Sequence, residues 1–242
     1  MFRAFLIAVQ FLTCIPITIK GEIKPEDNGR ALLFYPLVGL IIGLVLYSFS
    51  LVLEPSNLTA AIILTLWIIL TGALHLDGLA DSADAWMGGH SDPDRTLIIM
   101  KDPSSGAIAV VTLILVLLIK WTAIQSLITT DNFLIVFSPV IARMMVIGLI
   151  MTTPYVRETG LGADMKKYLP VKMLNWVISG FTFLLLLMNW QVTIMSLLTA
   201  IIIMLVLRQI MLKRIKGFTG DTAGALIEIV ELTVLVLLVA IR

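Results

Sequence analysis

The sequence predicts an all-α, polytopic transmembrane helical bundle, and three observations predict it. Hydrophobic residues make up 59% of the 242 and charged residues 14%, against roughly 45–50% and about 25% in soluble domains. Mean hydropathy is +1.04, too high for a surface that meets only water. Charge-free runs such as Ala31–Leu53, 23 residues long, exceed the ~20 that cross a bilayer. The same figures exclude disorder. A net charge of +1 gives no basic excess for nucleic acid as a partner; the partner that composition does specify is the lipid bilayer. No repeat, low-complexity tract or Gly/Ser linker divides the chain, so residues 1–242 are expected to form one integral-membrane domain.

The first element is Met1–Ile19, with one cation, Arg3, and an apolar run from Ala4 broken by Gln10, Thr13, Pro16 and Thr18. No small-x-small cleavage site follows before the charged stretch Lys20–Arg30. An uncleaved amphipathic or re-entrant segment is expected, its helix ended by Pro16. Cys14, the single cysteine, has no disulfide or thiolate-metal partner and reads as a small apolar filler.

Seven spans follow, at about 31–53, 57–74, 106–128, 133–152, 173–188, 192–207 and 225–241. The charge-free stretch Met173–Leu207 is 35 residues long, too long for one helix, and Asn189-Trp190-Gln191 divides it into a hairpin. Seven crossings put alternate loops on opposite faces. Fourteen of the 17 Lys and Arg then fall on one face, Lys120 and Arg242 on the other, and Arg143 within a span. That asymmetry marks the first face as cytoplasmic. Asp77, Asp81, Asp84, Asp92, Asp94, Asp102, Glu158, Asp164 and Asp221 gather there too, so polar chemistry is expected on that side.

The densest constellation is His75-Leu-Asp-Gly-Leu-Ala-Asp-Ser-Ala-Asp, directly after the second span. At 100° per residue, Asp81 lies about 40° from Asp77 and Asp84 about 20° to the other side, so three carboxylates share one stripe. Like charges at that spacing destabilise a bare helix, and a divalent cation among them relieves the repulsion. Oxygen ligands without His pairs or Cys suit Mg²⁺, Mn²⁺ or Ca²⁺ rather than zinc. The competing reading is a solvated acidic helix start, but this helix is expected to continue a span. Gly78 inside it suggests close approach of something. His75 reads as a partner of the ligands, a base or a structural histidine.

Further along, Asp92 before Pro93 reads as an N-cap and first helical position of a short helix that carries Arg95. Lys101 and Asp102, next to Ser104-Ser105-Gly106, can either grip a phosphate or cap the next helix. Before the last span, Asp221 and Glu228 share a stripe, with Glu231 about 80° away. Glutamates inside an apolar helix should face the bundle interior, with Arg143 as their counter-ion or as a phosphate ligand. The basic cluster at Lys213, Arg214 and Lys216 can anchor anionic headgroups. Together these features suit transfer of a phosphorylated group, in which two metals clamp the attacking and leaving oxygens.

The sequence resembles the cobalamin synthase (adenosylcobinamide-GDP ribazoletransferase) family of prokaryotic membrane enzymes. The matching pieces are Val9–Pro16, Tyr35–Leu40, His75-Leu-Asp-Gly-Leu-Ala-Asp81, Met100-Lys-Asp102 with Gly106, Tyr155–Gly162 and Thr219-Gly-Asp-Thr-Ala-Gly-Ala225. Two departures stand out: Cys14 where the family usually has Arg, and Pro103-Ser-Ser-Gly106 where it often has Ser-Arg-Ile-Gly. Arg3, Arg95 or Arg143 would replace the missing basic contacts.

The resemblance implies a multi-pass enzyme of the prokaryotic cytoplasmic (inner) membrane. It would join adenosylcobinamide-GDP to α-ribazole or its 5′-phosphate and release GMP. Asp77, Asp81, Asp84 and Asp221 are the implied Mg²⁺ ligands. Asp84, then His75, are the candidate bases, with Lys101 and Asp102 positioning the nucleotide. Arg95, Arg143, Ser104, Ser105 and Glu228 are the substrate contacts. Homo-oligomerisation is left open. One rival is a CDP-alcohol phosphotransferase-like lipid enzyme, whose motif needs Arg where Asp81 stands. Another is a divalent cation transporter, whose site belongs near the midplane on broken helices.

Overall fold

The computed structural model describes residues 1–19, 21–90 and 92–241; Lys20 and Arg242, both counted in the charge asymmetry, lie outside them. Helix α1 (Phe2–Leu12) rises only about 16 Å, too little to cross a ~30 Å hydrocarbon layer. It stops four residues short of Pro16, at extended Thr13. Helix α2 (Pro25–Ala31) runs through a 3₁₀ turn at Leu32–Phe34 into α3 (Tyr35–Val52). The tightened turn precedes Pro36, which has no N–H to continue an α-helical ladder.

Helix α4 (Asn57–Thr71) is followed by α5 (Leu74–Gly88) at an angle of 87°. The expectation that the acidic helix continues its span is therefore corrected. Gly72 and Ala73 both take left-handed conformations (φ 62° and 56°), which ends the ladder at a Gly C-cap. The carbonyls left over at the corner are answered from the N-terminal segment: Cys14 N–H donates to Leu70 O at 2.9 Å and Cys14 Sγ to Ile69 O at 2.7 Å. Cys14 is thus a backbone cap for α4 rather than an apolar filler.

The remaining helices are α6 (Pro93–Ile99), α7 (Ala107–Thr130), α8 (Phe137–Thr152), α9 (Leu161–Lys167), α10 (Val171–Met188), α11 (Trp190–Ile215) and α12 (Gly220–Ala240). Among the described residues, six helical stretches are long and apolar enough to cross a membrane, and the bent pair makes a seventh if its two arms count as one span. The chain is a multi-pass helical membrane protein. Its three-aspartate helix α5 is the arm of the bent pair that turns aside from α4. Asn189 caps α11 as expected of the hairpin turn, its side chain accepting from Val192 N–H at 3.1 Å. The last helix starts at Gly220 rather than 225, because Thr219 and Thr222 form a reciprocal capping box there.

The core is centred on α8, nearly every residue of which is buried, between α3 and α12. Inside it lies a group of charges. Lys120 of α7 donates to Glu228 and Glu231 of α12, both at 2.6 Å, and stands 4.7 Å from the Trp67 ring centroid. Arg143 of α8 donates to Glu231, and Ser138 Oγ to the Glu231 carbonyl at 3.0 Å. All four ionic side chains are at most 4% exposed. Lys120 therefore belongs to a span interior, not to the outer loop expected of it. Two cations facing two anions is the arrangement a low-dielectric interior requires.

Candidate active site

Helix α5 packs lengthwise on α12 because both present glycine at the crossing. A Cβ on Gly78 would stand 2.6 Å from the carbonyl oxygen of Asp221, and one on Gly224 3.3 Å from His75 Cα. The close approach that Gly78 foreshadows is thus to the backbone of Asp221, and it brings the two acidic motifs side by side. Leu79, next round the helix, meets Val116 of α7 and Ala225 of α12. Arg214, in the last turn of α11, donates to Trp86 O at 3.0 Å and ties the far end of α5.

Held this way, Asp77 is exposed and Asp81 and Asp84 are half-buried along one stripe. Burial, then the charges of Asp77, Asp221 and Asp84, push the Asp81 carboxyl up to about 6. The two motifs therefore form one electrostatic unit, crowded with negative charge. Among the described residues, no three His, Cys, Asp or Glu side chains converge as a ready-made metal cage. Mg²⁺ needs none, since it keeps several waters and commonly takes one or two carboxylates plus substrate phosphate. The hard-oxygen donor set and its mutual repulsion fit that mode of binding.

Asp84 has a different occupation. Its Oδ2 accepts from Gly106 N–H at 2.5 Å and its Oδ1 from Ala109 N–H at 2.9 Å. Two of the four N–H groups that a helix leaves orphaned at its start are satisfied this way, so Asp84 anchors α7 and the loop before it. With both oxygens engaged, it is poorly placed to serve as a base.

The stripe joins two hollows. At its Asp77 end, a cavity of about 560 Å³ is lined by His75, Asp77, Asp221, Arg157, Tyr155 and Tyr35, with apolar residues of α1, α8 and α12. Arg157 Nη2 donates to Asp221 Oδ2 at 3.0 Å. His75 is buried, and its Nε2 finds no partner among the described residues. Burial, with the Arg143 and Lys120 charges behind it, holds its imidazole well below the usual range, hence neutral. At the Asp84 end, a hollow of about 430 Å³ is lined by Asp84, Asp102, Ser104, Ser105 and Gly106. There Asp102 Oδ1 accepts from the Ser104 N–H at 2.9 Å and from its hydroxyl. Those donors hold the Asp102 carboxyl below the usual range. Lys101 and Arg95 are exposed nearby in sequence; Asp92 caps α6 and accepts from Arg95 N–H at 3.2 Å.

Two sequence expectations are corrected. Arg143 is fully enclosed and engaged by Glu231, and Glu228 by Lys120, so neither side chain reaches a substrate. They form the interior charge cluster instead, and Glu228 takes Lys120 rather than Arg143 as its partner. Conversely, Arg157 is a basic group at the site that the reading of charges passed over. Its signal lay in the Tyr155–Gly162 piece, which packs beside α12 through the bridge between Tyr155 and Phe218.

A polytopic helical bundle that carries an acidic stripe, a neutral histidine and two hollows at one end is an integral-membrane enzyme in its make-up. The chain belongs to the cobalamin-5-phosphate synthase family, whose model matches residues 4–239. It is 50% identical over 233 residues to the adenosylcobinamide-GDP ribazoletransferase of Pseudomonas putida (strain W619), covering 95% of this chain and 96% of that one. It is also 50% identical over 236 residues to the protein of the same name from Pseudomonas entomophila (strain L48), covering 96% of each. The counterpart from Ectopseudomonas mendocina (strain ymp) is 49% identical over 235 residues, again 96% of each. No solved structure matches the chain.

Proposed function

We propose that the chain is an adenosylcobinamide-GDP ribazoletransferase, which carries out the nucleotide-loop assembly step of cobalamin biosynthesis. The observation that carries this is identity of about half over 95% of the chain to relatives of that name, beside a family match over residues 4–239 that includes every site residue described above. In the reaction a ribose hydroxyl of α-ribazole, or of its 5′-phosphate, attacks the cobinamide-side phosphorus. A new P–O bond forms, the pyrophosphate P–O bond breaks, and GMP leaves with the electron pair.

Asp77, Asp81 and Asp221 would hold Mg²⁺. When bound, the ion offsets the charge of the pyrophosphate and of the departing GMP. Arg157, on the Asp221 carboxylate, turns its remaining N–H groups to a phosphate oxygen. His75 Nε2 takes the hydroxyl proton. Its imidazole starts neutral, and two pyrophosphate charges close to it raise its basicity as the substrate binds. Asp102, Ser104 and Ser105 line the hollow for the nucleotide end, with Lys101 at the adjoining surface. Asp84 keeps that hollow in shape through α7.

The membrane is the prokaryotic cytoplasmic one, with the acidic end facing the cytoplasm. With Lys120 moved into the interior, the charge asymmetry of the loops favours that orientation more strongly. Membranes containing the protein, mixed with adenosylcobinamide-GDP, α-ribazole phosphate and Mg²⁺, should yield cobalamin 5′-phosphate and GMP by mass spectrometry. Absence of both products, with the protein folded, would refute the assignment.

A further inference from the structure

The two hollows flank the reacting centre, about 10 Å apart along α5; the larger is the deeper and the smaller the more open. The deep wall of the larger one is Leu12, Tyr35, Val146, Ile150, Met165 and Ile227, each 4% exposed or less. It holds no amide and no charge, and its one hydroxyl, on Tyr35, is already directed to Met165 Sδ at 3.6 Å. Apart from the buried imidazole of His75, the charged groups stand toward the open end, where Asp77 is exposed and Arg157 and Asp221 are half-buried. The smaller hollow is more open, and Met87, Ile99 and Ile108 line it beside Asp84, Asp102, Ser104 and Ser105.

We propose that the larger cavity binds the aromatic base of the α-ribazole acceptor, with its ribose at the acidic rim, and that guanine is excluded from it. The proposal rests on the transferase reading and adds which reactant sits where. A volume of about 560 Å³ lies within the ~300–1,000 Å³ of small-molecule pockets, and a corrinoid ring with its fringe of amides is too large and too polar for it. Guanine would leave its exocyclic oxygen and amine and its ring N–H dry and unpaired against the deep wall, at a cost for each group. A dimethylated benzimidazole presents methyl and aryl surface there instead. Its single free ring nitrogen needs one donor, and the buried Arg157 Nε–H, on a lining residue, has no acceptor among the described residues.

Ile150→Trp fills the deep wall. In steady-state assays of the full-length protein in nanodiscs, it should raise KM for α-ribazole at least tenfold and leave KM for adenosylcobinamide-GDP within twofold. Equal rises, or a rise only for adenosylcobinamide-GDP, overturn the proposal. Because an added indole can disturb folding, a second measurement uses the unmodified protein: equilibrium dialysis of tritiated α-ribazole with no other substrate. Free 5,6-dimethylbenzimidazole should displace the label and guanosine at the same concentration should not. Displacement by guanosine, alone or equally, overturns the pocket assignment. A wild-type protein that shows this displacement pattern but releases no GMP would support the pocket while refuting the transferase reading.

Discussion

Removing Lys120 tests whether the interior charges hold the bundle together or take part in catalysis. Lys120 and Arg143 face Glu228 and Glu231, so the cluster is neutral, and among the described residues Lys120 is the only cation bonded to both glutamates. Lys120→Met leaves a net charge of −1 and strips Glu228 of its partner. Breaking a buried ion pair on one side costs about 3–5 kcal/mol. For a chain of this size, each kcal/mol lowers Tm by roughly 2–4 °C, so the fall should be about 6–20 °C. Neutral hydrogen bonds between membrane helices average only ~0.6 kcal/mol, which makes the two explanations separable. Lys120→Met combined with Glu228→Gln restores neutrality and should recover at least half of the loss. The assay is thermal unfolding in detergent, followed by size-exclusion of the surviving monodisperse fraction. At temperatures below both midpoints, KM for either substrate should stay within twofold of wild type. A single variant melting within about 2 °C of wild type, or a double variant melting below the single one, would refute the reasoning.

Three further outcomes follow from the site. Asp84→Asn keeps one of the two acceptors that the α7 N–H groups use and should leave the Mg²⁺ midpoint within threefold, whereas Asp84→Ala should lose about 0.5–2 kcal/mol of stability as a cap; a tenfold Mg²⁺ shift in the Asn variant would make Asp84 a ligand after all. Gly78→Ala puts a methyl 2.6 Å from Asp221 O and should force α5 off α12, costing about 1–3 kcal/mol and at least tenfold in kcat; a stable, fully active variant would contradict the packing. Asp81, raised to about 6, must lose its proton to bind a metal. Its protonated form predominates below that pH, so apparent Mg²⁺ affinity, measured by titrating GMP release at fixed pH, should be flat above pH 7. It should then weaken by up to about tenfold per unit below pH 6; an affinity unchanged at pH 5 would remove Asp81 from the ligand set.

Sequence patterning carried the spans well because bilayer thickness imposes a length that long apolar runs reveal, and the Asn189 hairpin and Asp92 cap were legible for equally local reasons. It placed Lys120 outside, since hydropathy cannot tell a charge at a helix end from one neutralised by partners 108 and 111 residues away. The corner at Gly72–Ala73 was masked by unbroken apolarity around it. The acidic stripe was visible from spacing alone, but spacing says nothing of what a carboxylate touches: Asp84 proved to be bonded to a helix start 22 residues on. Arg157 and the cavity escaped because both depend on α1, α8 and α12 meeting, a relation that no local window contains.

The corner between α4 and α5 also sets an order of assembly. A helix that turns aside from its span cannot be completed by the insertion of that span. After α6 has packed beside it, the Leu79 side of α5 stays bare until α7 arrives, and its glycine face until α12 is made. Asp221 is joined to Asp77 only then. Any ribosome-bound or truncated chain lacking α12 would hold the aspartates exposed and the cavity open on one side, so catalytic competence arrives with the final helix and cannot build up stepwise.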